Sequence, residues 1–190
     1  MVVIKPEFLV SYVEAVEFEL IAVRIVYREA RELHEVLKEV SSELDKHSSL
    51  YVVLPAEFAF STRHVLSAFI HCLRSLRRGG KLRDPNMEFL RYYFGVKQIR
   101  DVKSILEGIT SREFVCIAYG DGEKVLESIR RCIRVHGGEI LEDIVPEQCD
   151  VKKLSKVFSV KLEVFDRGKG LIKALELGVL EKIALLDLRK

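Results

Sequence analysis

Apolar positions recur along this chain in two rhythms, and the switches between them mark out its elements. From Val16 to Val26 apolar and β-branched residues dominate, broken by Glu17, Glu19 and Arg24, which predicts a long strand. The rhythm then changes. Ala30, Leu33, Leu37, Val40 and Leu44 recur at three- and four-residue steps, with Glu29, Glu32, Glu35, Glu39 and Glu43 off that stripe. This spacing predicts an amphipathic helix with an acidic outer face, ending before Ser48-Ser49. Leu50 to Leu54 is short and β-prone, a second strand stopped by Pro55.

Three helices in close succession are predicted between Ser61 and Gly108. Ser61 or Thr62 can cap the first, because a side-chain hydroxyl satisfies a free amide of the first turn. Gly79-Gly80 ends it by supplying a residue that tolerates a left-handed backbone. Asp84-Pro85 opens the second, with Asp as cap and Pro at the first helical position. Gly95 closes that helix, and Val96, Ile99, Val102 and Ile105 line a third that ends at Gly108.

Beyond this block, Glu113 to Tyr119 reads as a buried strand. Asp121 caps a helix carrying Val125, Leu126, Ile129 and Ile133, which Gly137-Gly138 stops. Glu139 to Val145 is a further candidate strand with weaker alternation, and Val151 to Phe158 a short helix. Ile172, Leu175, Val179, Ile183 and Leu186 keep helical spacing to the end, although Gly178 weakens that helix by roughly 1 kcal/mol relative to Ala. No internal repeat, low-complexity tract or linker interrupts the chain. The expected architecture is α+β: a single domain over residues 1–190, with a small, mostly antiparallel or mixed β-sheet packed with helices.

Composition narrows the class. The 190 residues are 48% hydrophobic and 32% charged, enough to build a core and unlike a disordered chain. Net charge is only +2, so attraction to a polyanion would depend on local clustering. No apolar run reaches membrane-helix length, and Met1 to Glu7 lacks the order of a signal peptide, so a cytoplasmic location is expected. Cys72, Cys116, Cys132 and Cys149 form no Cys-x-x-Cys pair and read as small buried hydrophobes in a reducing compartment. Asn86 is the sole asparagine, with Gln98 and Gln148 the sole glutamines; few labile amides beside abundant Glu, Lys and Arg resemble a heat-adapted protein.

The candidate chemistry is binding rather than bond-breaking. Arg74, Arg77, Arg78, Lys81 and Arg83 cluster with no acid between His71 and Arg83. Arginine presents a planar fork of donors that matches phosphate. Arg91, Lys97, Arg100 and Lys103 lie nearby, and Tyr92 and Tyr93 offer rings on which unpaired bases can stack. The alternatives are a solvated charged face and core tyrosines. His64 and His71 share roughly one helix side, but a metal would need further ligands that the sequence does not supply. Gly120-Asp121-Gly122-Glu123-Lys124 loosely echoes a phosphate loop without the Walker spacing, and a capped turn accounts for it. Arg167-Gly168-Lys169-Gly170 reads as another turn. No nucleophile–base pairing or carboxylate pair emerges, so no catalytic role, metal or cofactor is expected.

The order of motifs from Ser61 to Gly108 resembles the PRPK-binding subunit family of the KEOPS (EKC) complex. That pattern is Ser-x-x-His at a helix start, then Glu-x-Leu, Gly-x-Arg-Gln-Ile and a terminating glycine. Here it is carried by Ser61 to His64, Glu88-Phe89-Leu90, Gly95-Val96-Lys97-Gln98-Ile99 and Gly108-Ile109. Leu180 to Leu186 is similar to the way archaeal members end. Together these segments span about a third of the chain, and residues 1–15 and 137–170 find no counterpart. Lys97 departs from the pattern, replacing a bidentate fork with a point charge.

The resemblance implies a non-catalytic role in making threonylcarbamoyladenosine on tRNA. It implies docking on the small atypical kinase-ATPase of the complex and engagement of tRNA, including its unpaired 3′ end, with contact to other KEOPS subunits only indirect. The residues expected to meet tRNA are Arg74, Arg77, Arg78, Lys81, Arg83, Lys97 and Gln98. Ile183 and Leu186 are the candidates for the kinase contact, with ordinary core positions as their alternative. A second hypothesis is a protein-interaction subunit that regulates the kinase without touching RNA. A third is a small enzyme that holds a phosphorylated ligand on the Gly120 to Lys124 turn.

Overall fold

β-Branched and aliphatic residues of two separate stretches, before residue 57 and from 108 to 144, build an antiparallel sheet, and the rest of the chain supplies most of the helices. The chain is described by a computed structural model at residues 2–4 (backbone only), 18–79, 82, 84–141, 143–146, 149–166, 168 and 170–188. Val16 and Glu17 of the expected first strand lie outside these residues. So do Gly80, Lys81 and Arg83 of the basic run, Gln148, and Arg167 and Lys169 of the expected turn. The class is α+β, as expected, and the described chain forms two compact units.

The first unit comprises residues 1–56 and 108–144. Its strands are β1 (Val2–Ile4), β2 (Phe18–Glu32), β3 (Ser48–Pro55), β4 (Thr110–Asp121) and β5 (Gly138–Leu141). They follow the order β1-β2-β4-β3, with β5 paired to β2 beside β1, and every pairing is antiparallel. Helices α1 (Leu33–Leu44) and α5 (Gly122–Val135) pack against each other and against the sheet.

Two expectations are corrected in this unit. Strand β2 runs past Val26 to Glu32, because after a register shift Arg31 and Glu32 pair with Ser111 and Thr110 of β4. Ala30 is therefore an exposed strand residue rather than part of the helical stripe. Helix α1 accordingly buries Leu33, Val36, Val40 and Leu44, leaving Leu37 exposed. Long-range pairing has overridden local periodicity. Strand β5 is also shorter than expected, ending at Leu141.

The second unit comprises residues 57–107 and 145–190. Its helices are α2 (Thr62–Arg77), α3 (Pro85–Tyr93), α4 (Ile99–Leu106), α6 (Val151–Val157), α7 (Leu162–Phe165) and α8 (Leu171–Leu188). The predicted caps form. Ser61 accepts from the His64 amide, and Asp84 from the amides of Asn86 and Met87. Gly79 sits at φ +89°, the left-handed position that ends α2. Phe58, Phe60, His64, Tyr93, Phe94 and Phe158 form a ring-on-ring core. Gly178 has a packing reason: a Cβ there would lie 2.3 Å from Val160 and 3.0 Å from Phe165. Close approach of those two side chains thus offsets its poor helix propensity.

Candidate nucleic-acid interface

Helices α2 and α3 form an antiparallel hairpin whose inner face is polar yet dry. Near one end, Ser75 donates to Glu88 at 2.5 Å. Arg91 closes on the same carboxylate with two bonds, Nε to Oε2 at 2.9 Å and Nη2 to Oε1 at 2.7 Å. Its guanidinium also lies 4.4 Å from the Tyr92 ring centroid. Burial alone would lower the Arg91 pKa, but the Glu88 bonds and charge outweigh it and hold the pKa raised. This pair is an element of the core. Arg91 therefore does not join the basic face as the sequence suggested.

At the other end of the hairpin, His64 is fully buried. Its Nε2 lies 2.7 Å from the carbonyl of Tyr93, and since a carbonyl can only accept, that nitrogen carries the proton. Among the described residues Nδ1 has no partner. Burial lowers the pKa of His64 to about 4, against smaller opposing effects of the Tyr93 carbonyl and Glu176. His64 is a neutral packing residue stacked on Phe60. Tyr92 and Tyr93 are buried too, with hydroxyls donating to Asp187 and to the Phe58 carbonyl. Neither ring faces solvent, which corrects the expected aromatic platform: α3 needs both as core.

Helix α8 ties the hairpin from its side. Ser61 donates to Glu176 at 2.5 Å, and Lys173 also donates to that carboxylate. Burial raises the Glu176 pKa, but these bonds together with the Lys173 and Arg63 charges prevail and lower it. Farther along, Asp187 takes Tyr92 Oη at 2.6 Å and sits 2.7 Å from His71 Nδ1. Ile183 and Leu186 are buried, at 0% and 8% exposure. Their side chains fill the core of this unit and leave no surface for a partner, so the expected kinase-contact pair is corrected. In this second unit the exposed large apolar side chains among the described residues are Val164, Leu171, Ile172 and Leu188.

The outer face is different. Arg74, Arg77 and Arg78 are exposed at the C-terminal end of α2, on one side of the helix, and none makes an ion pair among the described residues. Their cations favour the negative helix end, a structural benefit worth about 0.3–1 kcal/mol that needs no ligand. Lys97 and Gln98 are also exposed, but they follow α3, at the hairpin end where Tyr93 meets His64. Helix rise separates that level from Arg74 and Arg78 by roughly 15–20 Å. The arginines are brought together; Lys97 and Gln98 are held apart from them. Arg100 and Lys103 are exposed on α4, with Arg100 3.8 Å from Asp101.

The remaining motifs resolve into structure. Asp121 caps α5 by accepting from the Lys124 amide, and its other carboxylate oxygen meets Lys124 Nζ at 2.7 Å. These contacts account for the turn without a ligand. Cys72, Cys116 and Cys132 are buried, and among the described residues no group of three or more His, Cys, Asp or Glu is placed to hold a metal. Nor is any described helix long and apolar enough to cross a membrane. What the sequence did not reveal is the set of ties to α8, Ser61–Glu176 and His71–Asp187. Each joins residues more than a hundred positions apart, and no local signal marks them. Compared with known proteins, the sequence matches no family model and no curated protein.

Proposed function

We propose that this chain is a non-catalytic, cytoplasmic subunit of the KEOPS complex that binds its small kinase-ATPase and helps recruit tRNA for threonylcarbamoyladenosine formation. The observation that carries this reading is the outer face of α2, where three exposed guanidinium groups share one side and have no carboxylate partner among the described residues. An exposed fork exchanges water and counterions for phosphate without first giving up an ion pair. The motif order from Ser61 to Gly108 supplies the family to which that face would belong. An unpaired 3′ end, extended along the hairpin, would meet the arginines and the Lys97–Gln98 link at separate nucleotides.

Charge reversal at Arg77 and Arg78 is expected to weaken tRNA binding while the fold stays intact. A gel-shift titration with intact tRNA and with tRNA trimmed at its 3′ end checks this. Equal affinity for both RNAs would count against recognition of the 3′ tail. Undiminished binding by the reversed variant would remove the arginine face from the account.

Burial of Tyr92 and Tyr93 favours a second reading, because it withdraws the expected stacking platform. In that reading the chain is a protein-interaction subunit that regulates the kinase without RNA contact. Kinase capture would then succeed while tRNA binding showed no salt dependence.

A further inference from the structure

Lys173 and Lys182 stand on the same helix, α8, in different electrostatic settings. Lys173 meets the Glu176 carboxylate, whereas among the described residues no carboxylate lies within ion-pair distance of Lys182. Lys182 is nonetheless half-buried. Its Nζ donates to the carbonyl of Phe158, the C-cap of α6, at 2.5 Å. That bond satisfies a helix end and uses one of three N–H groups. Burial holds the Lys182 pKa below the ordinary lysine value, and no neighbouring charge offsets it. A charge withdrawn from water in this way is ordinarily compensated by an anion. The stem of Lys182 lies against the turn that joins α3 to α4. Gly95 in that turn has φ +62°, and a Cβ on it would sit 3.1 Å from Lys182 Cβ and 3.5 Å from Cε. Two residues on, Lys97 is exposed and likewise makes no ion pair among the described residues. Two residues of chain span at most about 7 Å, so both lysines start from one small patch.

We infer that Lys182 is a further phosphate-contacting residue, whose ammonium joins that of Lys97 in holding one phosphodiester of a single-stranded RNA 3′ end at the Gly95 turn. The inference rests on the proposed tRNA-binding reading and adds a second anchor to it, separate from the arginine face. Two N–H groups of Lys182 remain for an acceptor, and a phosphate oxygen supplies both that acceptor and the missing negative charge. A half-buried ammonium has already given up part of its hydration, so the attraction is screened less than at a fully exposed lysine. Lys97, in water, adds charge without that advantage. The arginines of α2 lie roughly 15–20 Å away along the hairpin, so the two anchors meet different nucleotides.

The test is tRNA affinity per folded molecule over a series of salt concentrations, for the wild type, Lys182→Met, Lys182→Arg and the Arg77→Glu/Arg78→Glu double variant. Methionine keeps an unbranched stem against Gly95 and removes the charge. Lys182→Met should bind intact tRNA about tenfold more weakly, with a log–log salt slope shallower by about 0.7, the decrement for one phosphate contact with a single strand. Lys182→Arg should restore the slope, and tRNA trimmed at its 3′ end should bind the wild type and Lys182→Met alike. A second measurement needs no variant: the rate at which an acetylating reagent modifies Lys182 in the wild type, followed by mass spectrometry. Saturating intact tRNA should slow that rate about tenfold, and trimmed tRNA should leave it unchanged. A lysine that only caps α6 would lower stability when replaced, but would alter neither the salt slope nor the response to tRNA. Wild-type affinity and slope in Lys182→Met, or an acetylation rate that intact tRNA leaves unchanged or that both RNAs slow equally, would overturn the inference. The double variant tests the underlying reading separately. If it binds as the wild type does, the arginine face is not the RNA site and both proposals fail. If it loses binding while Lys182→Met does not, only the role of Lys182 fails.

Discussion

Arg91 and Arg77 belong to the same helical hairpin, yet their surroundings ask opposite things of them. Arg91 is buried on the inner face, so its charge must be compensated, and Glu88 does this through two bonds while the Tyr92 ring covers the guanidinium. Arg77 stands in water with Arg74 and Arg78 and makes no described ion pair. Removing a guanidinium from water costs several kcal/mol and commits it to its partner. Leaving it hydrated costs nothing and commits it to none. The comparison teaches that arginine count says little about a binding face, whereas desolvation and pairing separate the arginines that build the fold from those that can meet a ligand.

Removing the inner partner should have the largest effect. Glu88→Ala leaves Arg91 buried without its carboxylate, and a loss of about 3–5 kcal/mol in denaturant-induced unfolding is expected. A loss below about 1 kcal/mol would mean that Arg91 reaches water easily and that the two faces differ less than their burial suggests. Ile183→Ala should cost about 2–5 kcal/mol through the cavity it leaves in the core. Kinase binding per folded molecule should stay the same, measured by calorimetry on the folded fraction. A selective loss of kinase affinity at unchanged stability would restore Ile183 as a contact.

His64 makes the inner face sensitive to acid. Its folded-state pKa of about 4 lies below the ordinary 6.5, so the unfolded chain binds the proton more readily between these values. Its contribution is complete above about pH 6.5 and is lost as pH falls toward 4, by about 3 kcal/mol in all. Unfolding free energies measured from pH 7 to pH 4 should follow that slope, and His64→Phe should flatten it even if the variant is less stable throughout. An unchanged slope in the variant would assign the acid response to other groups. The smallest stability effect belongs to the outer face: replacing Arg74, Arg77 and Arg78 together with Ala should change stability by no more than about 1 kcal/mol.

Local chemistry was legible in the sequence, and tertiary choices were not. Ser61, Asp84 and Asp121 announced their caps because a cap depends on residues within one turn. Helix α5 showed its buried side through Val125, Ile129 and Ile133. The β2 to α1 junction was misplaced because the spacing of Ala30 fits a helix, while pairing of Arg31 and Glu32 with β4 keeps the chain extended. At the candidate site, the arginine run from Arg74 to Arg78 could be read directly. The inward turn of Arg91, Tyr92 and Tyr93 could not, since α3 is buried continuously from Glu88 to Tyr93 and shows no polar face to mark an orientation. His71 drew attention as half of a histidine pair, but its working partner is Asp187 on α8.

The salt dependence of tRNA binding, compared between the wild type and the Arg74→Ala/Arg77→Ala/Arg78→Ala variant at one pH, tests the outer face most directly. Three phosphate contacts to a single strand should make the wild-type log–log slope steeper by about 2 than that of the variant. Parallel slopes, with affinity unchanged, would contradict the claim that these exposed guanidinium groups are what the protein offers to RNA.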